Sequence, residues 1–219
     1  MDVYRTEEEQ VAALQRWWRE NYKPVIAAVV LAVASYGGWK WYQHTQQEKA
    51  NAAAALYETM MTSAQEIVTA GPGAADALVR MQRAGDALVS EHAGSVYAQF
   101  GALLLAGNAA EVDDLAGAEK YLRSALSVDA GTGSKVIIEN RLARVLSAQG
   151  KHDEALAAIS GAVPEALVAA REETRGDVLL AQGKRGEARA AYEKAKVAAG
   201  DDEAALGFLP MKLDYVAGE

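Results

Sequence analysis

Residues 148–159 read Ala-Gln-Gly-Lys-His-Asp-Glu-Ala-Leu-Ala-Ala-Ile, and residues 181–192 read Ala-Gln-Gly-Lys-Arg-Gly-Glu-Ala-Arg-Ala-Ala-Tyr. Eight of the twelve positions agree at an offset of 33 residues. An offset in the low thirties is the length of a helix–turn–helix unit that stacks on copies of itself. The surrounding spacing carries the same message. A small residue, Ala143 or Gly176, precedes a second small residue, Ala155 or Ala188, by 12 positions. A bulky residue follows, Ile159 or Tyr192, and then alanine again, Ala162 or Ala195. Small residues let two helices cross closely, and the bulky one fills the gap toward the next unit. A looser third copy places Gly101, Ala118, Leu122 and Ala125 at the same four positions. Its small positions stand 17 apart, which predicts a turn enlarged by five residues around Ala109–Asp114.

The pattern resembles tetratricopeptide (TPR) repeats without their tryptophan and C-terminal proline. The rest of the chain also reads as helix. A polar, alanine-rich helix is expected over Thr45–Ala70, broken by Gly71-Pro72-Gly73. Ala74–Glu91 follows, with Leu78, Met81, Leu88 and Val89 on one face. Gly131-Thr132-Gly133 marks a loop, with Ser134 placed to cap a helix from Lys135 and Asp201 to cap a short later one. The expected fold is all-α: about four helical hairpins stacked as a short solenoid, closed by Asp202–Gly207.

The 219 residues carry no cysteine, which excludes a disulfide framework, a thiolate metal site and a cysteine nucleophile. The net charge of −8 resides entirely in residues 50–219. An acidic soluble part argues against nucleic acid as a partner. Pro24 to Trp39 contains no charged residue. Trp17, Trp18 and Tyr22 precede this run, and Trp39, Trp41 and Tyr42 close it, as rings suited to two membrane–water interfaces. Tyr22 to Trp41 spans roughly 28 Å of helix, close to a hydrocarbon thickness of about 30 Å. Arg5, Arg16, Arg19 and Lys23 lie before the run, against Lys40 and Lys49 just after it. The excess of basic residues on the N-terminal side predicts a cytoplasmic segment 1–23, a single transmembrane helix 24–42 in the lipid bilayer, and a periplasmic domain 43–219.

Two other readings compete. Ala32-Val33-Ala34 has the shape of a signal-peptide cleavage site. The long preceding stretch with Glu7, Glu8 and Glu9 weighs against cleavage after Ala34, as does the tryptophan belt that follows. Short apolar runs also form buried core helices, but the flanking aromatics disfavour that. Ala34 and Gly38 have the spacing of a small-residue helix contact.

No catalytic constellation emerges, and no enzyme activity, cofactor, metal or small-molecule substrate is expected. His44, His92 and His152 have no metal-ligand spacing, and His152 reads as a solvated turn residue. Asp113/Asp114, Glu172/Glu173 and Asp201/Asp202/Glu203 read as solvated charge runs. Gly131–Lys135 lacks the spacing and the preceding strand of a phosphate loop. A solenoid of hairpins instead offers a concave surface for a partner segment. Its register places Ile137, Asn140, Arg144, Glu173 and Asp177 there as candidate partner-binding residues.

The order of parts resembles the ancillary SecYEG translocon subunit family. The resemblance lies in Val3-Tyr4, Glu9-Gln10-Val11, the stretch Ala13-Leu14-Gln15-Arg16-Trp17-Trp18-Arg19-Glu20-Asn21, and Gly38-Trp39-Lys40-Trp41. It continues in Arg141-Leu142-Ala143-Arg144-Val145 and Arg175-Gly176-Asp177. The resemblance implies a bacterial inner-membrane protein with a periplasmic TPR-like domain. It also implies partnership with the SecYEG translocon and with a membrane-anchored periplasmic chaperone of the peptidyl-prolyl isomerase type, in the handling of newly exported proteins. An envelope scaffold or assembly factor unrelated to secretion is the alternative.

Overall fold

The computed structural model describes residues 7–70, 74–129 and 131–218. The expected break at Gly71-Pro72-Gly73 and the Val3-Tyr4 pair lie outside them. Met1–Asn51 and Ala52–Glu219 form separate compact units. All secondary structure among the described residues is helical.

The first unit is the N-terminal part of α1, Glu7–Ala70. The helix runs through Pro24 and joins the apolar run to the polar Thr45–Ala70 stretch without interruption. Ile26, Val29, Val30, Leu31 and Val33 are all exposed. This is a helix long and apolar enough to cross a membrane by length and composition, and none of its most apolar window is buried. The segment is therefore not a core helix of this chain.

The second unit begins with residues 52–70 of α1 and continues through α2 (Ala75–Glu91) and α3 (Val96–Glu111). Ala53, Met60, Met81, Ala84, Leu88, Ala98 and Leu105 form its first core. Gly101 is buried where a β-carbon would touch Leu88 at 3.0 Å, so its missing side chain serves the contact with the preceding helices. Three hairpins follow. They pair α3 with α4 (Leu115–Leu126), α5 (Thr132–Ala148) with α6 (His152–Ala158), and α7 (Val168–Ala181) with α8 (Arg185–Ala199).

The three hairpins turn alike, and this corrects the expected five-residue enlargement. Their turns are Val112-Asp113-Asp114, Gln149-Gly150-Lys151 and Gln182-Gly183-Lys184. The central residue is left-handed in each, at φ 61°, 77° and 77°. The third residue donates its backbone N–H to Ala109, Leu146 and Leu179 respectively, at 2.8–3.0 Å. Aligned on the turns, the small residue of α3 is Ala106, buried and 12 positions before Ala118. The spacing of 17 arises because Gly101 is not the equivalent position but lies five residues before it on α3, and the turn itself is regular. Asp113 occupies a conformation normally left to glycine, which Asp and Asn tolerate better than other residues.

Ala118, Leu122, Ala125, Ala143, Ala155, Ile159 and Val178 are among the residues of the central core. Ala162 departs from the expectation and is exposed. The reason is that α6 stops at Ala158, and the chain passes through Pro164 into a 3₁₀ turn at Glu165–Leu167. In the last hairpin the repeat holds: Gly176, Ala188, Tyr192 and Ala195 are all buried. A β-carbon at Gly176 would overlap the Tyr192 ring.

The helix caps differ in detail from the sequence reading. Gly131, at φ 93°, already ends the loop, so α5 starts at Thr132 with Ser134 inside its first turn. Asp202, not Asp201, accepts the Ala205 backbone N–H at the start of α9 (Glu203–Leu206), at 3.3 Å. The closing element is α10 (Leu209–Ala217), whose Leu209 and Val216 complete a third core with Leu179, Ala188, Ala191, Tyr192 and Ala195. It lies beyond the expected Asp202–Gly207 cap. The guanidinium of Arg185 latches it by donating to the carbonyls of Tyr215, Val216 and Gly218. On the α4–α6 side, Lys151 and Arg123 hold the Glu119 carboxyl down at about 2, Lys151 contributing most.

Candidate functional site

A groove of about 660 Å³ opens within the second unit. It has the size of a ligand cleft, roughly 300–1,000 Å³. Its walls come from four helices. The end of α1 supplies Tyr57, Met61, Ile67 and Val68, and α2 supplies Met81. From α3 come Phe100, Leu103, Leu104 and Asn108, and from α5 come Ser134, Ile137 and Arg141. The sequence explains why these side chains are left over. α3 must bury Ala98, Ala102, Leu105, Ala106 and Ala109 in the two cores; Leu103 and Leu104 pack against the cores only in part, and Phe100 is left exposed. The Tyr57 ring lies 5.5 Å from that of Tyr97 and 6.3 Å from that of Phe100, centroid to centroid.

Exposure separates the groove from the cores beneath it. Met61, Val68, Phe100 and Ile137 are 45%, 79%, 45% and 47% exposed. Two charges stand on its lining, Arg141 and Glu111, and among the described residues neither has an ion-pair partner. Gln99 stands behind the lining, almost wholly buried, and donates its Nε2 to the carbonyls of Ala125 at 3.0 Å and Val128 at 3.2 Å.

The five candidate binding residues are spread over two different environments. Ile137 lines the groove. Asn140 is buried, and its Oδ1 has no hydrogen-bond partner. Arg144 is exposed and stands 3.9 Å from Asp177. Glu173 and Asp177 are taken up by the chain's own last helix, because the Lys212 ammonium donates to them at 2.7 and 2.6 Å. Asp177 also accepts the Tyr192 hydroxyl at 3.0 Å. Burial, with Asp177 and Glu173 close by, pushes the Tyr192 hydroxyl well above its usual range.

Glu172 and Glu173 are therefore not a solvated run. Glu172 accepts from Arg175 at 3.1 Å, and both glutamates are half-buried. His152 is half-buried as well, with Nδ1 3.1 Å from the Ser147 hydroxyl. Asp113 and Asp114 do lie in a turn, where Asp114 caps α4 through the Gly117 N–H at 2.9 Å. Between the repeats, Arg171 is buried and ion-paired with Glu139. In the first unit, Trp17, Trp18, Tyr22, Trp39, Trp41 and Tyr42 are all exposed.

Sequence reasoning missed Arg141, Phe100 and the α1 side of the groove. Arg141 stands four positions after Ile137 on the same helix face, a signal available from the 3.6-residue period alone.

A family model for the tetratricopeptide repeat-like domain matches residues 15–218. A Haemophilus influenzae protein described as an ancillary SecYEG translocon subunit is 30% identical over 195 residues, covering 89% of this chain and 91% of the relative. The chain belongs to the ancillary SecYEG translocon subunit family. Relatives with the same description in Escherichia coli and Neisseria gonorrhoeae are 28% and 27% identical, covering 88% and 98% of this chain and 88% and 99% of their own lengths. No solved structure is significantly similar. The repeats and turns described above are thus the family's helical domain.

Proposed function

We propose that this protein is a non-catalytic interaction subunit of the bacterial inner membrane, and that the apolar groove is where its TPR-like domain docks a partner segment at the SecYEG translocon. The observation that carries the reading is the groove itself, an open apolar cleft on a domain whose other inner charges are self-paired. The relatives' shared description supports the Sec association. The exposed apolar window of α1, its rim of tryptophans and the excess of preceding basic residues support an anchor over 24–42. On this reading residues 1–23 are cytoplasmic and 43–219 periplasmic. A membrane-anchored chaperone of the peptidyl-prolyl isomerase type, implied by the resemblance, is then a second partner, and newly exported chains are the clients.

Photocrosslinking in intact cells tests the groove. A crosslinker at Phe100 or Ile137 should capture a translocon subunit or the anchored chaperone, and one at Val197 on α8 should not. Capture from Val197 alone sinks the reading. Topology is tested separately, because the chain has no cysteine of its own. Val197→Cys should react with a membrane-impermeant maleimide in spheroplasts, whereas Ala12→Cys should react only after lysis; the reverse pattern overturns the anchor's orientation.

A further inference from the structure

The chemistry of the groove restricts what can occupy it. Every wall is a helix, so apart from helix ends, such as the first-turn N–H of Ser134 on α5, the backbone N–H and C=O groups of the walls are paired along their own helices. No strand edge is offered, and the lining is dominated by Tyr57, Met61, Ile67, Phe100, Leu103 and Ile137. An extended segment laid here would leave most of its own backbone groups without partners, at a cost of roughly 1–3 kcal/mol for each one buried. A helix pairs its backbone internally and presents only side chains. Met61, 45% exposed, adds a soft, adaptable surface that accepts varied apolar anchors.

The charges then set the occupant's polarity. Arg141 and Glu111 line the same groove, and among the described residues neither is neutralised by the chain. This contrasts with Glu173 and Asp177, whose charges Lys212 meets. From this, and resting on the reading of the groove as the docking surface, we infer that the occupant is an amphipathic α-helix of a partner protein, with apolar anchors at i, i+3/i+4 and i+7, a carboxylate set against Arg141 and a basic residue set against Glu111.

The test uses the full-length protein in detergent and fluorescent stapled helical peptides of about 15 residues, a length at which an unstapled helix is only marginal. One peptide carries leucine anchors with glutamate at the position facing Arg141. A second carries lysine there. A third has the composition of the first but contains prolines that prevent helix. The first should bind at least about tenfold more tightly than the third, and Phe100→Asp should weaken it by at least about tenfold. Arg141→Glu should reverse the preference between the first two peptides. The exposure of Phe100 and Arg141 leaves the fold intact in both variants, which circular dichroism checks.

If the proline peptide binds equally well and still depends on Phe100, the groove docks extended chains; the helix inference then fails while the groove reading stands. If no peptide responds to Phe100→Asp, both fail. A second occupant is tested in the same samples. The exposed Phe208, Met211 and Tyr215 of another copy form an apolar helical stripe. Concentration-dependent self-association abolished by both Phe100→Asp and Met211→Asp would give the groove to a second copy and overturn the inference.

Discussion

α5 contributes to two surfaces that differ in almost every physical respect. Ile137 and Arg141 face the groove with α1, α2 and α3, while Arg144 faces the ion-pair cluster of Glu173, Asp177 and Lys212. The groove is apolar and open, with its two charges unpaired among the described residues. The cluster is polar and shut by α10, with its charges met within the chain. Charged residues on repeat helices stand out in the sequence, yet they join one repeat to the next. The surface left for others is the one whose apolar side chains the cores cover only in part.

The sharpest way to break this contrast is to add one methyl to each side. Gly176→Ala drives a β-carbon into the Tyr192 ring and should cost about 3 kcal/mol by overpacking, read as a fall in thermal midpoint. Gly107→Ala, on the groove lining with no atom within 4 Å, should instead raise stability by roughly 0.5–1 kcal/mol. A second, smaller effect comes from Lys212→Met. It strands Glu173 and leaves Asp177 with Arg144 and the Tyr192 hydroxyl, and should cost about 2 kcal/mol in denaturant unfolding, below the loss expected of a wholly buried pair.

Alkali distinguishes the closed side by its sign. The Tyr192 hydroxyl titrates above its ordinary 10.0, so its contribution is complete below pH 10 and is lost as pH rises through the folded value. Stability in the parent protein should therefore hold to about pH 10 and fall above it, and Tyr192→Phe should flatten that fall. The smallest effect concerns the turns behind the two surfaces. Asp113 stands where the closed side has Gly183, and Asp113→Gly should stabilise the α3–α4 hairpin by up to about 1 kcal/mol in the same unfolding assay. No change would mean that the Asp113 side chain relieves the left-handed backbone on its own.

Much of the fold is legible in the sequence because close helix crossings demand small residues at fixed intervals. The repeat spacing alone is enough to place Ala143, Ala155, Gly176 and Ala188 at those crossings. It misregisters the α3–α4 hairpin, because that turn uses Asp113 in place of glycine and Gly101 serves a different contact. It misses α10, because it closes the solenoid at Gly207; Pro210 is no obstacle to a helix there, standing in the first turn where its missing N–H costs nothing. The groove is the least legible part. Its walls, from Tyr57 to Arg141, belong to four helices, and no local spacing relates a residue on α1 to one on α5. Ile137 alone of the five candidates lines it, since the register of a helix face does not say which face the chain's own tail will cover.

The latch formed by Arg185 has a consequence for how the molecule is made. The inner side of α8, with Tyr192 and Ala195, is sealed only when Leu209 and Val216 arrive, and those residues are synthesised after it. Earlier hairpins can fold in order during synthesis, N-terminal first. The α7–α8 hairpin keeps an uncovered apolar side until Leu209 and Val216 have followed it. Vectorial folding therefore pauses at this hairpin until α10 docks on it.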